Sequence, residues 1–168
     1  MGVWPIGLSS VYGRVVTFEP HPDNYHCLLH NTAGIDGIEC IRAALGAKAG
    51  SVDMVTPGGE DYNSGAYYVK SGQSVDMMSI DSLGLTDVDL IYLDVEGAEN
   101  DAILGAADTI AHSRPVIGIE DKGRFYQRFG HSKSAVALLT HDFGYKIALR
   151  PSRLDVILVP NNNKEAGH

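Results

Sequence analysis

The chain has 168 residues, with 13 Lys and Arg against 21 Asp and Glu, a formal net charge of −8. Its 44% hydrophobic and 20% charged residues are a globular composition, long enough for one domain that buries roughly two-thirds of its unfolded surface. The acidity argues against a nucleic-acid backbone as partner, and no apolar run approaches the roughly 18 residues that span a bilayer.

In chain order, Val15-Val16-Thr17-Phe18 is a β-branched and aromatic run that predicts a buried strand. Asp23 is the expected cap of a helix reaching toward Gly34. Ile38 to Ile41 predicts a second strand, followed by Ala43-Ala44-Leu45-Gly46. Short strands are expected at Ser51–Val55, Ala66–Val69 and Val75–Ile80, with the turn-rich stretch Thr56-Pro57-Gly58-Gly59-Glu60 between the first two. Asp81 is placed as the cap of a short helix over Ser82–Leu85. Val88 to Val95 is the most apolar strand, and a helix carrying Ala102 to Ile110 follows it. Pro115–Glu120 predicts a strand and Ser134–Asp142 an amphipathic helix. Tyr145–Leu149 and Asp155–Val159 predict a closing antiparallel hairpin. The expectation is one α/β domain over 1–160 with a mostly parallel sheet, then a polar tail over 161–168.

Ligands of such sheets bind outside the carboxyl ends of the strands. Acidic groups reach that edge at Glu19, at Asp94 with Glu96, and at Glu120 with Asp121. A carboxylate such as Glu19, held by Pro20 as the chain leaves the sheet, can accept hydrogen bonds from ribose hydroxyls. Asp94, Glu96 and Glu99 fall within six residues, and like charges this close need a cation, donors or a ligand. Glu99 also suits the start of the following helix. Asn63-Ser64-Gly65 reads as loop chemistry, and the run Lys122, Arg124, Arg128 and Lys133 as a solvated helix face. His26 and His30 lack the Glu of a zinc-protease helix, so no metal site is expected. Cys27 and Cys40 fit no disulfide framework, and with no signal peptide the expected location is cytoplasmic.

Together these segments form a pattern. Gly13 to Pro22 with Asn24 and Asn31, then Ala43 to Gly46, then the Asp-Val-Glu-Gly-Ala-Glu core at Asp94–Glu99, resemble FkbM-family methyltransferases. Ile103-Leu104-Gly105-Ala106 and Pro115–Glu120 continue the resemblance. It implies a Rossmann-like class I methyltransferase sheet, S-adenosylmethionine as cofactor, and methyl transfer to a hydroxyl of a sugar, glycan or small metabolite. By resemblance Glu19, beside Pro20, would hold the ribose hydroxyls, and Ala44 and Leu45 would lie near the adenine. Asp94 would face the methionine end or the acceptor, with Asp94 or Glu96 as the base.

The family normally begins with a strand and an acidic, glycine-rich turn. Here Gly2-Val3-Trp4-Pro5-Ile6-Gly7-Leu8 resembles the last Gly of that turn, which would touch the cofactor, and the helix after it; the first strand is expected to be absent. Tyr92 stands where the family commonly has Lys. The alternative expectation is therefore a truncated, non-catalytic binding or assembly module. An NAD-dependent dehydrogenase fragment would also use Glu19, but the acidic core at Asp94–Glu99 tells against it. Expected partners are a small-molecule or glycan substrate, with no nucleic acid and no membrane; a homo-oligomer is left open.

Overall fold

The computed structural model describes residues 1–55 and 68–161, with backbone only at 68–71, 124 and 125. The expectations for Thr56–Glu60, Asn63–Gly65 and the tail beyond 161 lie outside the described residues. The chain divides into two units, Met1–Met78 and Ser79–His168.

In the first unit, helix α1 (Val3–Ser9) precedes strand β1 (Val15–Phe18). β1 pairs in parallel with β2 (Ile38–Ile41), Val15 opposite Ile38 and Phe18 opposite Ile41. The connection is helix α2 (Pro22–Thr32), which buries Asn24, Leu28 and Thr32. Its cap is His21 rather than the expected Asp23, because Pro22 takes the first helical position, where a missing N–H costs nothing. β3 (Ala44–Leu45) runs parallel to β6 (Val75–Met78), and β6 pairs antiparallel with β4 (Gly50–Val55). β5 (Tyr68–Ser71) adds to the other edge of β4.

In the second unit, β7 (Leu90–Leu93) lies parallel to β8 (Val116–Glu120). The strand order is β7-β8-β10-β9, with β9 (Tyr145–Leu149) and β10 (Asp155–Pro160) forming the expected antiparallel hairpin. Alternation sets the register: Ile91 and Leu93, Ile117 and Ile119, and Val156 and Leu158 are all buried. Each such side chain contributes roughly 1.5–3 kcal/mol when fully removed from water. Helix α5 (Ala135–Asp142) is capped by the Ser134 hydroxyl, which accepts from the Ala137 N–H at 3.2 Å, and it buries Leu139.

Two expectations change here. Among the described residues, three of seven strand pairings are parallel, so the sheets are mixed rather than mostly parallel. The helix expected after β7 is broken into α3 (Glu99–Leu104) and α4 (Ala107–Ser113). Asp81 fills the break. Its N–H donates to the Gly105 carbonyl at 2.8 Å, and its Oδ1 accepts from the Thr109 N–H at 2.8 Å. A continuous helix would join that carbonyl to that N–H; Asp81 satisfies both ends instead. Asp81 thus caps a helix 28 residues away and begins a 3-10 turn (Asp81–Leu83) of its own.

Candidate functional site

In the first unit, Glu19 leaves β1 with its N–H still on the ladder, donating to the Ile41 carbonyl at 3.1 Å. Pro20 then turns the chain toward α2. The Glu19 Oε1 accepts the His21 N–H at 2.8 Å, and the Asn24 side chain also bonds this carboxylate. Burial raises its pKa, against the lowering effect of these donors. Ala44 and Leu45 have buried side chains in β3. Gly2 caps α1 with φ of +98°, where a Cβ would meet Asn31 Cβ at 3.3 Å.

In the second unit, Asp94 and Glu96 follow β7, and Glu120 ends β8. Parallel pairing of Leu93 with Ile119 brings these acidic ends side by side. Lys122 closes the group. Its Nζ lies 2.6 Å from Glu96 Oε1, 3.0 Å from Glu120 Oε2 and 3.6 Å from Asp94 Oδ1. Asp94 is the most open member, with 44% of its side chain exposed against 24% for Glu96 and 20% for Glu120.

Asp94 and Glu120 also lie within hydrogen-bonding reach of each other, so the two carboxyls titrate together. Burial first, then the Glu120 hydrogen bond and charge, push the Asp94 pKa up to about 7. The same bond with Asp94, followed by Lys122, holds Glu120 below its ordinary range against the effect of burial. Burial opposes the Lys122 charge, but its bonds to Glu96 and Glu120 overcome it and raise its pKa.

The turn after β7 is built to present Glu96. Glu96 and Gly97 both have positive φ, +54° and +102°, and the Ala98 N–H donates to the Val95 carbonyl at 3.2 Å. Two successive positive φ values mark a mirror-image turn. Gly97 adopts this conformation without cost, whereas Glu96 is strained in it. Glu99 is buried, and its Oε1 accepts the Gly97 N–H at 3.0 Å. It fastens the turn to the start of α3, in keeping with its expected helix-start role.

Beside the cluster, the Tyr92 hydroxyl donates to Asp155 Oδ1 at 3.1 Å. Burial, then Asp155, raise the Tyr92 pKa. Its ring lies across Gly118 on β8, where a Cβ would stand 2.6 Å from Tyr92 Cδ2.

The basic run predicts a solvated helix face for Lys122; its ammonium instead sits among three carboxylates. The available signal was its position two residues past Glu120, at the end of the strand that pairs with β7. Lys133, from the same basic run, pairs with Asp142 at 2.8 Å. Among the described residues no His, Cys, Asp and Glu group is arranged to hold a metal ion. No helix among them is long and apolar enough to cross a membrane.

No curated protein matches the chain. Its structure is similar to a crystal structure of methyltransferase FkbM from Methylobacillus flagellatus KT, with a TM-score of 0.56 at 21% identity. That likeness covers 92% of this chain and 38% of the other, so the chain spans well under half the length of that relative. The methyltransferase FkbM domain matches residues 8–147, a span that includes both the Glu19 and the Asp94 segments. A match over that much of the sequence makes the chain a member of the FkbM methyltransferase domain family.

Proposed function

We propose that the chain is an S-adenosylmethionine-dependent O-methyltransferase that acts on a hydroxyl of a sugar, glycan or small metabolite. Family membership supports methyl transfer. The observation that carries the oxygen-directed chemistry is Asp94. It is a half-exposed carboxyl at a strand end whose pKa lies at about 7, so it can take a proton from an acceptor at neutral pH.

Within each unit, taken by itself, the residues present suit one part of the cofactor. Glu19 is a half-buried carboxylate at a strand end, of the kind that accepts ribose hydroxyls, and the acidic groups around Asp94 suit a sulfonium. Glu19 would hold the ribose hydroxyls, with Pro20 fixing the backbone there, Ala44 and Leu45 would serve the adenine, and Gly2 would contribute to cofactor binding. S-adenosylmethionine, when bound, supplies an electrophilic methyl group. Asp94 removes the acceptor proton, with Glu96 as the second carboxylate beside it. Alignment of the acceptor oxygen supplies the remaining acceleration.

The reading includes a Rossmann-like arrangement, one methyltransferase-like domain over 1–160, and a cytoplasmic location. Labelled methyl transfer to a panel of sugars and polyols tests it, with titration calorimetry of S-adenosylmethionine alongside. Transfer to an oxygen, lost in Asp94→Asn, is the expected result. Cofactor binding with label recovered only on nitrogen or carbon acceptors would overturn the oxygen assignment.

A further inference from the structure

Among the described residues, the acidic cluster holds one close ammonium, and its contacts are unequal. Lys122 Nζ reaches Glu96 Oε1 at 2.6 Å and Glu120 Oε2 at 3.0 Å, but Asp94 Oδ1 only at 3.6 Å. An ammonium has three donors and a charge effect that weakens with distance. The two short pairs are within direct hydrogen-bond reach of the ammonium, whereas Asp94 feels its charge from farther out and without that bond.

Among the described residues, Asp94 is acted on by Glu96 from its own turn, by Glu120 and Lys122 from the end of β8, and by Tyr92 from β7, whose hydroxyl is given to Asp155 on β10. Glu120, already tied to Lys122, also bonds Asp94. Asp94 also keeps the largest open surface of the three carboxylates, 44% of its side chain. A proton entering the cluster from an acceptor has its best destination there.

We infer that Lys122 is a positioning residue for the proposed methyl transfer: its ammonium engages Glu96 and Glu120 closely and Asp94 loosely, leaving Asp94 as the carboxyl that exchanges a proton with the acceptor. The inference rests on the O-methyltransferase reading for what Asp94 does, but the charge arrangement does not. In the step itself the acceptor O–H bond breaks, an O–H bond forms on Asp94, and the electron pair stays on the acceptor oxygen. Lys122 sets the pH at which Asp94 is ready for this, because its positive charge lowers the Asp94 pKa while Glu120 and Glu96 raise it.

The test is carbon-13 NMR titration of the Asp94 carboxyl in the full chain, compared across wild type, Lys122→Met and Lys122→Arg. The Met variant is expected to move the Asp94 midpoint upward by about one pH unit, and the Arg variant to restore it to within a few tenths. The acid limb of the pH–rate profile for methyl transfer moves by the same amount. An unmoved midpoint in a folded Met variant overturns the inference, as does an equal rise in both variants. If the Met variant fails to fold, Lys122→Gln with the Arg variant makes the same comparison. A shifted midpoint with no methyl transfer by wild type sinks the enzymatic reading and leaves the charge arrangement standing. Methyl transfer with an unmoved midpoint does the reverse.

Discussion

Glu19 and Asp94 both leave the carboxyl end of a strand in a parallel pair, yet the two surroundings are built on different principles. Glu19 is held by its own loop, through the His21 N–H and the Asn24 side chain, all within five residues. Asp94 is held by charge drawn from another strand, through Glu120 and Lys122. The first arrangement fixes an acceptor in place and suits binding. The second ties the titration of one carboxyl to its charged neighbours and suits a reaction.

The largest test of this contrast is Asp94→Asn. It should reduce labelled methyl transfer by about 10²–10⁴-fold while leaving S-adenosylmethionine affinity within a few-fold by calorimetry. The same change should stabilise the protein at high pH. Asp94 binds its proton more tightly folded, at about 7, than unfolded, near 3.8. Its contribution to stability is therefore full below about pH 4 and is lost as pH rises through 7. Glu120, with its lowered pKa, works in the opposite sense. Water screens the half-exposed Asp94, so the gain from Asn at pH 8 should be roughly 1 kcal/mol, read as a rise in unfolding midpoint.

Gly118→Ala comes next. It drives a methyl into the Tyr92 ring and should cost about 1–3 kcal/mol in urea unfolding. A neutral result would show that Tyr92 can leave Asp155 without disturbing the strand pair. Glu19→Gln should weaken S-adenosylmethionine binding about tenfold and leave the pH–rate profile in place, since binding and proton transfer lie on different carboxylates. A shift of that profile would collapse the contrast. The smallest effect belongs to the exposed Arg14–Glu39 pair at 2.7 Å. Glu39→Gln should change stability by no more than about 1 kcal/mol, which calibrates the charge effects measured around Lys122.

The strands were legible because each is a local apolar run. Val15–Phe18, Ile38–Ile41 and Tyr145–Leu149 fall where the sequence puts them. The crowding of Asp94, Glu96 and Glu99 behind the most apolar strand was as plain, and the structure sets Asp94 and Glu96 beside Lys122. What could not be read depends on partners far along the chain. Asp81 looks like the cap of its own short helix, yet it interrupts the 105–109 segment, and only tertiary contact decides which backbone groups it takes. Lys122 looks like part of a basic run, and its partners appear only once β7 and β8 are in register.

The left-handed backbone at Glu96 has a consequence for how this protein would respond to selection for heat resistance. Glutamate is held there against its conformational preference, at a cost of roughly 1–2 kcal/mol, and glycine would remove that cost at once. A screen scored on melting temperature alone should therefore enrich Glu96→Gly. The enriched variants would lose the shortest contact of Lys122, free that ammonium to move toward Asp94, and become sturdier proteins with an altered acid limb.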